Sequence, residues 1–364
     1  MNAMVYFFLA AIIFLLSVSR CKANTMPLAV SPAGKHIAPN VAEFDQAASF
    51  KSSDKIVCAY YFYWYDVYSK AHIINNDGSD ALVDHLAEMT DFSYNSVNWH
   101  QKELKDMIDS GIDALLPVYW GDTGNMRWSV PGIEKLVEAE TELQQAGRNP
   151  PKIGLFYDTS SLMVEGKLKQ PGDRPDLTVQ FGKELFYKMI RDFYSLIPSR
   201  YWFEIDDKAV VWLYSAAFAS KFDQSTLDFA RQKFAEDFGG KELYLVGEIS
   251  WQKPSIEDAS NADIGLDNLY AWGAALAGAN FHGVAAIGPG YDDHAVPGRT
   301  TPKRERENGE FYIESWKQAL ASGKTIVVIE TWNELHEGTD ICETKEYGRQ
   351  YIELTAQFSR QFKS

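Results

Sequence analysis

From Lys55 onward the sequence alternates between short apolar runs and longer amphipathic stretches, and this alternation limits the possible folds more than any other feature. The short runs are rich in β-branched and aromatic residues, and several are apolar at consecutive positions, as expected of strands covered on both faces. The runs that we interpret as strands are 56–64, 112–119, 152–157, 209–213, 243–247, 266–271, 283–287 and 325–331. Strands that alternate with crossover helices form parallel sheets.

The stretches between these runs carry helix signals, such as Gly111 after an apolar pattern at helical spacing. The predicted helices cover residues 99–110, 130–146, 178–196, 225–238, 309–322 and 345–362. The links after the fifth and sixth runs have little helix signal. Eight parallel strands within residues 55–364 predict an α/β fold that is one (β/α)₈ TIM barrel in a single domain. A doubly wound open sheet is the alternative, although neither G-x-G-x-x-G after the first strand nor G-x-x-x-x-G-K is present.

The N-terminus carries an apolar stretch at residues 4–18, which is short for a membrane span of about 20 residues. It fits a signal peptide at residues 1–23 that is cleaved after Ala23, followed by an irregular lead-in at 24–54. We therefore expect a secreted protein, or a periplasmic one in a bacterium. A signal anchor retained in a membrane is the alternative. The mature chain keeps Cys58 and Cys342, which could form one disulfide or lie as small apolar residues in the core.

Charge and aromatic content indicate the kind of partner. The net charge of −15 disfavours nucleic acid and anionic membrane surfaces. The chain has 10 Trp, 19 Tyr and 21 Phe, and aromatic faces stack on the apolar C–H faces of sugars. These side chains could equally fill a large core. A neutral oligosaccharide or polysaccharide is the expected partner.

The active site of a TIM barrel forms at the carboxyl ends of its strands. Aromatic and carboxylate side chains occur after nearly every predicted strand, and no set of His and carboxylates has metal-ligand spacing. We therefore expect no metal and no cofactor. The predicted substrate-binding residues are Tyr61, Tyr63, Trp64, Trp120, Asp158, Tyr214, Glu248, Trp272, Tyr291, Asp292, Trp332, Asn333 and His336.

Glu334 and Glu337 are the predicted catalytic residues. Glycoside cleavage needs an acid for the leaving oxygen and a second carboxylate that acts as nucleophile or base. The two lie three residues apart after the eighth strand, so they can project toward one cavity. His336 between them either orients a carboxylate or has a structural role. Glu248 is the rival carboxylate.

Three segments resemble glycoside hydrolase family 99, the endo-α-1,2-mannosidases and their poorly characterised relatives. They are Gly288-Pro289-Gly290-Tyr291, Asn308-Gly309 with Tyr312, and Trp332-Asn333-Glu334-Leu335-His336-Glu337-Gly338-Thr339; the match at Tyr60–Tyr65 is looser. The resemblance implies a (β/α)₈ barrel and cleavage with retention. It implies that Glu334 is the base for the substrate's own 2-hydroxyl, which forms a 1,2-anhydro sugar. Glu337 would be the acid and then the base for water.

The sequence departs from the family motif at three positions. Leu335 replaces a Trp, Asp340 a Gln and Cys342 a Glu. The change at Leu335 predicts a lost stacking surface and a different sugar. An endo-acting α-mannosidase-like hydrolase is the leading hypothesis. A carbohydrate-binding pseudoenzyme and a retaining glycosidase that uses a protein nucleophile, with Glu248 as partner, are the alternatives.

Overall fold

The computed structural model of the chain describes residues 32–37, 48–121, 128–165, 173–255 and 263–364. The predicted signal peptide at 1–23 and most of the lead-in at 24–54 lie outside these ranges and stay predictions. Among the helices of the described ranges, none is long and apolar enough to cross a membrane.

The strands form one sheet in which nearly all neighbours are parallel. They are β1 Ile56–Tyr61, β2 Ala114–Tyr119, β3 Lys152–Ile153, β4 Leu155–Tyr157, β5 Glu204–Ile205, β6 Lys208–Leu213, β7 Glu242–Glu248, β8 Asn268–Tyr270, β9 Asn280–Phe281, β10 Ala285–Ile287 and β11 Ile326–Ile329. The order is β8-β7-β6-β4-β2-β1-β11-β10. Both β3 and β4 pair with β2, and Gly154 between them donates to Leu115 O at 3.0 Å, so they make one barrel strand.

The sheet curls into a nearly closed barrel. Strands β8 and β10 have no ladder between them, but the N–H groups of Gly283 and Val284 both donate to Leu269 O at 2.9 Å. These bonds join the two edges, so the predicted TIM barrel is confirmed over the open sheet. Two short antiparallel additions, β5 on β6 and β9 on β10, were not expected from the sequence.

Helices cover the outside of the barrel: α1 Val97–Ser110, α2 Ser129–Gln145, α3 Leu162–Glu165, α4 Gln180–Ser195, α5 Gln224–Asp237, α6 Ala274–Ala277, α7 Glu310–Ala321 and α8 Gln350–Lys363. The first begins where the Ser96 hydroxyl accepts from Trp99 N–H and ends at Gly111, whose φ of 78° suits glycine. The last begins five residues later than predicted, because residues 344–348 form a turn closed by Gly348 N–H on Thr344 O at 2.9 Å.

Large aromatic side chains fill the barrel interior. Tyr60, Trp212 and Tyr270 are fully buried, with ring centroids 5.4 to 6.3 Å apart. Both Cys58 and Cys342 are buried and free, so the possible disulfide is not formed. Burial raises the pKa of both thiols, which keeps them protonated and unreactive.

Candidate active site

The segment after β11 is attached to the end of β1. The N–H of Trp332 donates to Tyr60 O at 2.8 Å, which continues the strand pairing by one step. The Asn333 amide then takes the place of a strand backbone: its Oδ1 accepts from Phe62 N–H at 2.7 Å and its Nδ2 donates to Phe62 O at 2.9 Å. This pairing holds the residues that follow at the mouth of the barrel.

Glu334 is buried and bound through one oxygen. Its Oε1 lies 2.6 Å from His336 Nδ1, and His336 Nε2 lies 2.8 Å from the carbonyl oxygen of His72. A carbonyl only accepts, so Nε2 carries a hydrogen. Burial opposes protonation of His336, but the Glu334 carboxylate outweighs it and raises the pKa of the imidazole. Glu334 Oε2 is buried without a hydrogen-bond partner among the described residues.

Glu337 has a different environment. Its side chain is about 20% exposed and its Oε1 accepts from Arg299 Nη1 at 2.5 Å. The same nitrogen lies 3.2 Å from the Tyr291 hydroxyl oxygen, and that hydroxyl donates to Asp293 at 2.9 Å. Burial raises the pKa of Glu337, Arg299 opposes this, and the nearby Glu334 raises it further. The arrangement therefore favours a proton on Glu337.

Five of the predicted binding residues surround this pair as half-buried aromatics: Trp64, Trp120, Tyr214, Trp272 and Tyr291. The Trp64 ring stacks on His72 with centroids 4.8 Å apart and an interplanar angle of 6°. Burial raises the pKa of Tyr214, and the nearby Asp158 and Glu337 raise it further.

Three other predicted binding residues, Tyr61, Tyr63 and Trp332, are fully buried on the outer side of the barrel wall. The Tyr61 hydroxyl lies 2.8 Å from His100 Nδ1 on α1, Tyr63 donates to the Ser129 carbonyl on α2 at 2.9 Å, and Trp332 donates to Glu103 on α1 at 2.5 Å. Successive strand residues face opposite sides, so these side chains point away from the cavity. Without exposed surface these three side chains cannot contact a sugar in this structure, and the buried Asn333 amide is already occupied by the Phe62 backbone.

The predicted carboxylates outside the catalytic pair mostly organise local turns. Asp158 accepts from Ser160 N–H at 3.0 Å and from Trp120 Nε1 at 2.8 Å. Glu248 accepts from Ser250 N–H at 2.8 Å and from the Ser250 hydroxyl through the same oxygen. Asp292 pairs with His294 at 2.7 Å and Lys303 at 3.0 Å.

The departures from the family motif lie at buried positions. The Leu335 side chain is fully buried, its N–H donates to the Tyr65 hydroxyl at 2.9 Å and its carbonyl accepts from Val83 N–H at 2.8 Å. The Leu335 side chain therefore presents no exposed surface to a ligand, and the different sugar expected from this substitution stays a prediction. Asp340 is likewise buried against Arg306.

The sequence did not single out Arg299, which contacts Glu337, or Glu330, which binds the segment after β8. Arg299 lies in an irregular loop with no periodic pattern to mark it. Glu330 ends the apolar run of β11 and is 1% exposed, so a carboxylate at the end of a buried strand was the available signal.

A surface cavity of about 460 Å³ lies in the 66–98 segment and not at the carboxylate pair. It is lined by Asp66, Tyr68, Asp91, Ser93, Tyr94, Asn95, Ser96, Val97 and Asn98. None of these is a predicted binding residue. In the ranges that the structure describes, no group of three or more His, Cys, Asp or Glu side chains could hold a metal ion.

Comparisons with known proteins agree with the family resemblance in the sequence. A family model described as a domain of unknown function (DUF5010) matches residues 46–364. The glycoprotein endo-alpha-1,2-mannosidase of Mus musculus is 37% identical over 59 residues, which is 16% of this chain and 13% of that protein. A glycoprotein endo-alpha-1,2-mannosidase-like protein of Danio rerio is 42% identical over 59 residues, which is again 16% of this chain and 13% of that protein. The matched segment thus spans a small part of the curated relatives.

Solved structures show the same fold over most of the chain. The GH99 endo-alpha-mannosidase from Bacteroides thetaiotaomicron has a TM-score of 0.58 at 20% identity, covering 85% of this chain and 98% of that one. A structure described as a glycoside hydrolase-like protein has a TM-score of 0.59 at 16% identity, with 85% and 96% covered. The predicted likeness to family 99 is confirmed at the level of the barrel fold.

Proposed function

The chain belongs to the family described as a domain of unknown function (DUF5010), and we propose that it is a retaining glycoside hydrolase acting within α-mannoside chains. The observation that carries the proposal is the unlike setting of two neighbouring carboxylates. Glu334 is paired with His336 through one oxygen and has the other oxygen free of described partners. Glu337 has a raised pKa and a partly exposed side chain.

These settings fit the two roles that the family resemblance implies. In the first step Glu334 takes the proton of the sugar 2-hydroxyl, whose oxygen attacks the anomeric carbon. Glu337 gives its proton to the leaving oxygen, the glycosidic bond breaks and a 1,2-anhydro sugar forms. In the second step Glu337 takes a proton from water, the water oxygen attacks the anomeric carbon, and Glu334 returns its proton to the 2-oxygen. Two inversions give retention.

The protein-nucleophile alternative has less support. It needs Glu248 as the partner carboxylate, but one Glu248 oxygen caps the turn at Ile249–Trp251 through Ser250. Release of that oxygen would leave the Ser250 N–H without its acceptor, at a cost of about 1–3 kcal/mol.

The test uses Glu334→Gln and Glu337→Gln on a panel of α-mannosides and glucosylated mannosides, with product analysis by chromatography. Each variant should lose at least about 100-fold in turnover, because a general acid–base group contributes that much or more. Glycan binding measured by calorimetry should persist. Glu134→Gln, on the exposed face of α2, is the matched control and should retain activity.

Near-normal turnover by either variant would falsify the assignment. Ready cleavage of a substrate that lacks the 2-hydroxyl would favour a protein nucleophile. A wild-type protein that binds glycans from the panel and cleaves none would instead be the carbohydrate-binding pseudoenzyme.

A further inference from the structure

Glu330 is a buried carboxylate that the proposed mechanism does not use. It follows directly after β11, and its side chain reaches the loop after β8. The N–H of Gly273 lies 3.1 Å from Oε1 and 3.0 Å from Oε2, and the N–H of Ala275 donates to Oε2 at 3.2 Å. A buried carboxylate costs free energy unless it is hydrogen-bonded, so this side chain and this loop stabilise each other.

These bonds cross the part of the barrel wall where β8 and β10 have no strand ladder between them. They run from β11 past the end of β10 to the loop after β8, which is where the strand ladder is interrupted. Gly288 lies at the crossing point. A Cβ added there would lie 2.5 Å from Ala275 Cα and 2.7 Å from Glu330 O, so only glycine allows this close approach.

The loop held by Glu330 carries Trp272. The half-buried Trp272 ring stacks on Phe156 at 5.7 Å with an interplanar angle of 7°, and meets the edge of Tyr214 at 5.2 Å. Burial raises the pKa of the Tyr214 hydroxyl, and Asp158, Glu337 and Glu330 raise it further. Trp272 therefore stands beside Tyr214, while its own position depends on the segment that follows it, Gly273 and the short helix α6.

We propose that Glu330 is a positioning residue for the sugar site: its buried carboxylate fixes the loop after β8 and thereby sets where the Trp272 ring meets the glycan. The part concerning the glycan rests on the proposed function. The part concerning the loop does not, because the hydrogen bonds and the close contact at Gly288 exist without any ligand.

The loop is tested by hydrogen exchange measured by mass spectrometry on the full chain. Glu330→Gln keeps the side-chain shape but presents an NH₂ group to a backbone N–H, so we expect exchange in residues 271–277 to rise about tenfold. Gly288→Ala should also raise exchange in residues 271–277, because its Cβ would press against Ala275. This second variant tests the proposal even if Glu330→Gln folds poorly. Glu204→Gln is the matched control, since Glu204 is buried at the opposite end of the barrel on β5.

Unchanged exchange at 271–277 in both variants overturns the proposal. So does an increase of equal size in the control.

The sugar part is tested by a double-mutant cycle of Glu330→Gln and Trp272→Ala on glycan hydrolysis. We expect Glu330→Gln to raise KM about tenfold with kcat within about threefold, and to add nothing in the Trp272→Ala background. Independent, additive effects overturn the proposal, because a general structural role would not depend on Trp272. If the wild type neither cleaves nor binds a glycan, the proposed function fails by itself, and the exchange comparison still decides whether Glu330 holds the loop.

Discussion

The contact between Arg299 and Glu337 predicts how the activity depends on pH. Glu337 must be protonated to act as the acid, so the rate should fall as the pH rises through its pKa. Arg299 Nη1 lies 2.5 Å from Glu337 Oε1, and this positive charge favours the ionised carboxylate. Arg299→Met should therefore raise the pKa of Glu337 and move the alkaline fall in rate to higher pH.

The size of the shift follows from the separation and the exposure of the two charges. Two unit charges about 4 Å apart interact by about 4 kcal/mol near a protein surface and about 1 kcal/mol in water. The side chains are 28% and 20% exposed, so the interaction lies toward the lower end, at about 1.4–2.5 kcal/mol. One pKa unit is about 1.4 kcal/mol, which gives a shift of about one to two pH units. Asp293, which loses the same Arg299 partner, acts in the same direction.

The measurement is kcat/KM against pH from 5 to 10 on a cleaved α-mannoside, because this ratio reports the pKa values of the free enzyme. Lys303→Met is the control: it removes a cation from the same loop, but Lys303 is 52% exposed and pairs with Asp292 and Glu305. Its alkaline limb should stay within about 0.3 units of the wild type, since exposed pairs contribute little. The reasoning would be refuted if the alkaline fall in kcat/KM of the Arg299→Met variant stayed at the wild-type pH or moved to lower pH.

Two further predictions concern the support around the site. Arg306→Met should lower the free energy of unfolding by about 3–5 kcal/mol in urea titrations, because it leaves two buried aspartates unpaired. The control Arg148→Met removes an exposed ion pair and should lower it by less than about 1 kcal/mol. Equal losses in the two variants would contradict the prediction. Burial raises the pKa of Glu103 to about 7, so its protonated form stabilises the fold at low pH and this contribution is lost as the pH rises toward 7. The stability of the wild type relative to Glu103→Gln should therefore fall by about 2–3 kcal/mol between pH 5 and 8, and a difference that does not change with pH would count against it.

The sequence predicted the barrel because each strand carries its own local signal. Strand positions and most helix ends agree with the structure within two or three residues, since caps such as Ser96 and Gly111 act over one turn of chain. The short antiparallel pieces β5 and β9 were missed because two residues cannot show a period. The weak helix signal after the sixth predicted strand agrees with the structure, because the described chain there forms only the four-residue helix α6.

The candidate catalytic pair could be chosen from the sequence because it follows a buried strand at the end of the barrel where sites form. The different environments of Glu334 and Glu337 could not be predicted from the sequence. Only the structure shows that His336 pairs with Glu334, two residues before it, and that Glu337 meets Arg299, which lies 38 residues away in an irregular loop. The burial of Leu335 could not be predicted for the same reason, because burial is a property of the assembled site.

The amino-acid sequence alone specifies the alternation of strands and helices, the position of Glu334 and Glu337 after the last strand, and the high content of aromatic residues. It could not determine which aromatics face the cavity. In the run from Tyr60 to Trp64 every residue is aromatic, so the pattern of period two that normally marks the inner face is absent. The tertiary structure decides it: pairing of β1 with β11 and contact with α1 and α2 turn Tyr61 and Tyr63 outward, and the opposite face of the strand fills the barrel.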